Sequence, residues 1–290
     1  MLSSYVDNRH NLEEIRDMII EPASFLTSWV IKPGKETKIN FILSEKMLPI
    51  LLLLAFPLLS EAFIVTRGGT ETRPHSLPYM ARIGISADNL KWDFCAGFLV
   101  REDFVMTAAH CYRAMSYVIL GAHNSTISEP TIQVIPVHQH FPHPEFKTDT
   151  FDNDIMLLKL KYTAQLSMAV KTIALPQSKD WVKPKQVCSM AGWGKMDNDR
   201  YSGTLREVDL EVQEKKICNQ TYSHYNDATQ LCVGNPWQSK SAEMGDLGGP
   251  LVCNSVAQGI VSHGYNTTST GVYTRISSFV PWISRIMNAS

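Results

Sequence analysis

An all-β fold, a barrel or a sandwich finished by one terminal helix, is what the sequence predicts, and three observations carry that prediction. Past Glu61 the chain consists of short β-type runs separated by turn residues at short intervals. Helical periodicity is confined to the C-terminus. All 6 cysteines, an even number, lie between Cys95 and Cys253 with no CxxC or zinc-finger spacing, which favours disulfides over a metal and so an oxidising compartment. The chain has 290 residues, 44% of them hydrophobic and 19% charged, enough apolar matter for a sizeable core and too little charge for a disordered chain. Its net charge of -1 removes the electrostatic case for a nucleic-acid binder.

Taken in order, residues 1–46 hold no cysteine and nothing that suggests chemistry, although Asn11 to Ile20 has the composition of a short helix. Leu48 to Leu59 is an apolar run of 12 residues. A bilayer span needs about 20, so the run reads as the core of a secretory signal, with Lys46 before it and Ser60 and Ala62 after it. Met47 begins a conventional signal peptide, and residues 1–46 are expected to be an upstream extension missing from the mature protein. No stable membrane anchor is expected.

Thr131 to Val137 is mostly β-branched, and Asp154 to Leu160 and Gly259 to Ser262 read as inner strands. In Leu205 to Val212, Leu205, Val208, Leu210 and Val212 fall mostly on a buried face. Phe279, Trp282, Ile283, Ile286 and Met287 share a helical face, with Ser277 and Ser278 as candidate caps. One unit is expected from about residue 64 to the end.

Three segments suggest chemistry. Thr107-Ala108-Ala109-His110-Cys111 sets a histidine beside a half-cystine among small residues. Asp154 stands at the mouth of an apolar run, where a carboxylate is costly unless hydrogen-bonded; orienting a histidine satisfies it. Gly245-Asp246-Leu247-Gly248-Gly249-Pro250 is a turn that lets backbone N–H groups converge, as an oxyanion hole requires.

These segments, TAAHC, DIMLLKL and GDLGGP, together with AGWGK (Ala191 to Lys195), resemble the trypsin/chymotrypsin-type serine proteases. LGAHN (Leu120 to Asn124), PHSLPYM (Pro74 to Met80) and LCVGNP (Leu231 to Pro236) are similar to the mast-cell chymase and granzyme branch. The resemblance covers residues 64–290. It implies a double six-stranded β-barrel with a C-terminal helix and a cleft between the barrels. It makes His110 the general base, Asp154 its orienter, and Gly245 and position 247 the oxyanion hole. It implies the disulfides Cys95–Cys111, Cys188–Cys253 and Cys218–Cys232. Ser241 would form the base of the substrate pocket, with Ser262, Gly264 and Gly271 around it, a neutral pocket for Phe, Tyr or Leu. No cofactor is implied.

Two departures stand against hydrolysis. The family's nucleophilic Ser is here Leu247, a side chain with no lone pair to attack a carbonyl. The family's mature start, Ile-Ile-Gly-Gly or Ile-Val-Gly-Gly, is replaced by Ile64-Val65-Thr66-Arg67-Gly68-Gly69, so 63–67 is an altered activation segment. The new amine is then expected to miss Asp246, leaving that carboxyl protonated or the oxyanion loop disordered.

The sequence is thus expected to encode a secreted or granule-stored, monomeric, catalytically inactive homologue that binds protease inhibitors or peptide substrates. The alternative is an active chymase-like endopeptidase in which Leu247 is an allele or error; a third reading is a gene product without a selected role. His138, His140 and His143 form H-x-H-x-x-H, but the family carries a surface loop with His-Pro here, and no metal is expected. Asn124, Asn219, Asn266 and Asn288 begin N-x-S/T sequons; the first three are expected to be glycosylated. After Val65 the chain has 21 Lys plus Arg and 20 Asp plus Glu, which does not support packing on polyanions.

Overall fold

The computed structural model describes residues 69–289 apart from 89–90, 179, 197–199, 239–240, 243–244 and 265–267. The readings for residues 1–46, 47–62 and 63–67 and for Asn266 lie outside the described residues.

The described chain enters through β1 (Thr70–Glu71) and builds a closed barrel from β2 (Met80–Ser86), β3 (Asp93–Arg101), β4 (Phe104–Thr107), β5 (Met115–Leu120), β6 (Gln133–Pro142) and β7 (Met156–Leu160). Its hydrogen-bonded order is β2-β3-β4-β7-β6-β5. Alternation explains the closure: Ala81, Ile83 and Ile85 of β2 point inward with Leu99, Val105, Val118 and Leu158. Asp154 to Leu160 is an inner segment as expected, with strand geometry from Met156 on.

The second half contributes β8 (Val187–Gly192), β9 (Arg206–Glu211), the helix α1 (Lys215–Thr221), β10 (Gln230–Val233), β11 (Pro250–Cys253), β12 (Val256–Gly264), β13 (Gly271–Arg275) and the helix α2 (Val280–Ala289). The sheet runs β1-β9-β8-β11-β12-β13-β10. Its far edges meet through a Val212–Val233 bridge and the hydrogen bond from Gly234 N–H to Glu211 O, 2.8 Å, so β9 to β10 close a second barrel. Val208, Leu210 and Val212 are buried together, as their alternation predicted; Leu205, out of phase with them and just before β9, is buried in a separate cluster. The β11–β12 hairpin turns on Asn254 and Ser255, both at positive φ, 52° and 62°. That conformation suits Asn and matches the right-handed twist of the strands.

α2 places Phe279, Trp282 and Ile283 on the first barrel's core, with Ile286 and Met287 partly buried against it. The expected serine caps are not there. Ser277 and Ser278 belong to a short 3-10 turn, and Ser278 Oγ donates to Ala228 O at 2.7 Å. α1 was not foreseen: only Cys218 of its residues is buried, so no apolar face marks it in sequence.

All three expected disulfides are present, Cys95–Cys111, Cys188–Cys253 and Cys218–Cys232. The last pins α1 to β10.

Candidate active site

The two barrels meet at a buried carboxylate. Asp154 is 0% exposed and lies just before β7. Thr274 Oγ1 of β13 donates to its backbone O at 2.7 Å. Three donors converge on its side chain: His110 N–H at 2.9 Å, His110 Nδ1 at 2.7 Å and Ser262 Oγ at 2.6 Å. This is the compensation a buried carboxylate needs. Since Asp154 only accepts, His110 carries its proton on Nδ1, and Nε2 is left with its lone pair.

His110 sits in a 3-10 turn, Ala109–Cys111, tied to β3 by Cys95–Cys111. Its backbone and one ring nitrogen are thereby held. Its Nε2 is buried and has no hydrogen-bond partner. That nitrogen is the one a nucleophilic hydroxyl would occupy in the arrangement the resemblance implies. Leu247 offers none. It is half-buried and packs, with Ala242, against the apolar cluster of the second barrel.

The turn around Leu247 is formed. Leu247 O accepts from Ala96 N–H at 2.8 Å, Gly248 N–H donates to Val261 O at 2.9 Å, and Gly249 N–H to Asp246 O at 2.9 Å. Gly245 and Gly248 have φ of 100° and 84°, open to glycine. A Cβ on Gly248 would stand 2.2 Å from Thr107 Oγ1 and 2.5 Å from Ala96 O. Among the described residues, no acceptor engages the N–H groups of Gly245 or Leu247, the two that an oxyanion hole needs free. Asp246 is 3% exposed, and its Oδ1 accepts from Gly194 N–H at 2.8 Å. It is cradled so closely that a Cβ on Gly192 would lie 1.9 Å from the same oxygen. Whether the Ile64 amine reaches Asp246 falls on residues outside those described.

Of the expected pocket residues, Ser241 is half-buried, and Gly264 and Gly271 face each other across β12 and β13. The atoms nearest to a Cβ on Gly264 would be Gly271 Cα and Tyr222 Oη, both at 3.7 Å. Ser262 is brought to the site in another role, with its hydroxyl on Asp154.

Sequence reasoning missed Phe151 and His263. Phe151 places its ring edge-on to His110, centroids 5.7 Å apart, and 4.9 Å from His263. Since Ser262 Oγ–H is given to Asp154, its oxygen accepts from His263 Nδ1 at 3.1 Å. Burial, with the nearby His110 adding and Asp154 opposing, pushes the His263 pKa from 6.5 down to about 4. The only hint in sequence is that they stand close to Asp154 and Ser262.

A pH dependence follows. Between those two values the unfolded chain protonates His263 and the folded chain does not, so the folded state loses stability as pH falls from 6.5 to 4. The loss should be about 3 kcal/mol. Urea melts at pH 6.5 and 4 should show it, and the His263→Phe chain should lose that part of it.

Among the described residues the ligand atoms of His138, His140 and His143 do not converge. His140 Nε2 bonds Ser116 Oγ at 2.7 Å, and His143 packs on Phe279 and Trp282. Among the described residues the one group of three converging ligand atoms is Cys95, His110 and Cys111, whose sulfurs are joined to each other. Of the sequons, Asn219 and Asn288 are exposed, on α1 and α2. Asn124 is half-buried and accepts from Thr126 N–H at 2.9 Å.

Comparison with known proteins gives this geometry its relatives. The trypsin family model matches residues 66–283. Mast cell protease 8 of Mus musculus is 52% identical over 242 residues, 83% of this chain and 97% of that protein. Granzyme B of Homo sapiens is 50% identical over 245 residues, 83% of this chain and 99% of that protein. A solved structure described as "Structure of GrC" superposes with a TM-score of 0.73 at 46% identity, covering 76% of this chain and 99% of that one.

Proposed function

The chain belongs to the trypsin family of serine proteases, and from that membership we propose that it is a secreted or granule-stored chymase/granzyme-like homologue that no longer hydrolyses peptides and acts by binding them. The observation that carries this reading is the buried, partnerless Nε2 of His110. The base and its orienter are assembled with good hydrogen bonds. What is missing is a hydroxyl proton for the base to take, because position 247 is Leu. An isobutyl group supplies neither a nucleophile nor a donor to Nε2. Loss of the nucleophile in such a site costs on the order of 10⁶ in kcat.

Binding is a separate matter. The turn that holds the N–H groups of Gly245 and Leu247, and the open face of Gly264, do not depend on the nucleophile. Inhibitor loops and peptides with Phe, Tyr or Leu are the ligands proposed for this cleft.

The well-formed His110–Asp154 pair favours a second reading, an active endopeptidase of chymase-like preference, but only for a chain with Ser at 247. Sequencing codon 247 in several individuals separates the two. Chromogenic peptides ending in Phe, Tyr or Leu should show no turnover above the buffer rate with the purified wild-type chain. Turnover at a rate ordinary for a protease, about 1 per second or more, would return the chain to the active readings.

A further inference from the structure

We infer that the loop following β7, residues 161–171, is a docking point for an anionic membrane surface, with Leu166 and Met168 entering the lipid and Lys161 and Lys171 meeting the headgroups. This goes beyond the binding reading above and does not depend on position 247.

The loop inverts the usual sorting of side chains. Its small residues are inside: Ala164 and Val170 belong to the first barrel's core, and Ala169 is buried. Its large ones are outside. Tyr162, Leu166 and Met168 are 57%, 48% and 80% exposed, and they join none of the apolar clusters of the described residues. Of the nine exposed large apolar side chains among those residues, these three fall in one stretch of seven, and no other stretch of that length holds more than two. Apolar side chains scattered singly over a surface need no explanation, but a group of them does.

The loop is not free to turn them inward. Gln133 Nε2–H of β6 donates to Gln165 O at 2.7 Å, and Gln165 N–H donates back to Gln133 Oε1 at 2.9 Å. Ala164 N–H is held by Glu102 O at 2.8 Å, Ser167 N–H by Val170 O at 2.9 Å and Lys171 N–H by Pro78 O at 3.0 Å. Leu166 and Met168 lie between these anchors, so burying them against the barrel would break hydrogen bonds on both sides. An apolar pair displayed on a fixed backbone loses little freedom when something covers it.

The charges around the pair indicate what covers it. Lys161 and Lys171 bound the loop, both exposed and, among the described residues, without a carboxylate partner. Lys161 Nζ lies 5.6 Å over the Tyr162 ring. The cleft that Leu166 borders is also lined by Arg101, Glu102 and Asp103. Asp103 is taken by Arg101 and Lys159, at 2.5 and 2.6 Å, so the acid of this rim that remains is Glu102. Cations around an apolar tip suit an anionic bilayer: the lysine stems lie along the lipid with their ammonium groups at the phosphates, and a tyrosine sits at headgroup level. A protein partner fits less well, because a stable interface takes about 800 Å² from each side, more than the side chains of one short loop supply. With a net charge of -1 the whole chain has little long-range attraction to an anionic surface, so the apolar pair carries the affinity and the two lysines the lipid preference.

The test uses the secreted protein expressed from its full reading frame, floated with vesicles of phosphatidylcholine, alone or mixed with phosphatidylserine. The wild-type chain should float with the mixed vesicles and less with phosphatidylcholine alone. Leu166→Gln with Met168→Gln should lower the partition coefficient on mixed vesicles by about tenfold or more. Lys161→Gln with Lys171→Gln should lower it there by about thirtyfold, the worth of two lysines near an anionic surface, and leave phosphatidylcholine alone unchanged. Ile127→Gln, at a residue 52% exposed on another loop, should change neither. The urea midpoint of every variant should equal that of the wild type. No flotation of the wild-type chain, or undiminished flotation of the Leu166→Gln, Met168→Gln chain, overturns the docking point. An equal loss in the Ile127→Gln chain overturns it too, because the association would then belong to exposed apolar residues in general. A loss that comes with a lowered urea midpoint gives Leu166 and Met168 a structural role and also overturns it. An unchanged lysine variant overturns the anionic surface. None of these outcomes bears on the cleft, so the binding reading stands or falls separately.

Discussion

Leu247→Ser alone is expected to give a weak, zymogen-like peptidase. The new hydroxyl would sit beside Nε2 of His110, whose ring is already held by Asp154 through a 2.7 Å bond. A nucleophile is worth about 10⁶ in kcat in such a site. The altered start at Thr66-Arg67 should withhold about 10²–10³ of that, the worth of an oxyanion donor. The net rise is then about three orders of magnitude, or somewhat more, over the wild-type chain. Deleting Thr66-Arg67 as well, with Ile64 as the free N-terminus, restores Ile64-Val65-Gly68-Gly69 and should add about two orders more. Turnover of Phe, Tyr and Leu chromogenic peptides by the three proteins checks both steps. Full turnover from the single change would show that Thr66-Arg67 is harmless.

Asp154→Ala should destabilise the wild-type chain by about 3–5 kcal/mol, the cost of breaking a buried hydrogen-bonded charge cluster. The substitution leaves His110 N–H, His110 Nδ1–H and Ser262 Oγ–H without their acceptor, at a position where Asp154 is 0% exposed. Urea melts at pH 7 measure it. In a chain with Leu247→Ser, Asp154→Asn should also cut turnover by about 10⁴, because an amide presents a donor where Nδ1–H needs an acceptor and the histidine takes the wrong tautomer. A loss under about 1 kcal/mol for Asp154→Ala would mean that water replaces the carboxylate and that the site is less closed than the geometry indicates.

The parts of the fold that were legible in sequence are those where one residue's neighbours decide its place. Val208, Leu210 and Val212 alternate with charged residues, and a strand with one wet face has only one way to lie. The terminal helix shows its apolar face from Phe279 to Met287 for the same reason. α1 had no such signal, since Lys215–Thr221 is held by Cys218 and its disulfide rather than by an apolar stripe. Ser277 and Ser278 looked like caps, but Ser278 is claimed by Ala228 O, a partner 50 residues away.

The site divides similarly. His110, Asp154 and Leu247 stand in short motifs whose local chain already implies their chemistry. The hydroxyl of Ser262, the ring of Phe151 and the neutral His263 depend on two barrels brought together, and nothing local marks them. Arg82 is the extreme case. In sequence it is one charge on a strand; only the structure shows that it stacks on Phe94.

The most direct measurement of the central claim is the intact mass of the purified wild-type protein after incubation with a phenylalanine-type diphenyl phosphonate, which bonds covalently to an activated serine hydroxyl. With Leu at 247 and the Nε2 of His110 facing no hydroxyl, the mass should stay unchanged over a time in which the Leu247→Ser chain starting at Ile64 and lacking Thr66-Arg67 is labelled one to one. Stoichiometric labelling of the wild-type chain would contradict the account, because it would require another serine to act as the nucleophile of His110.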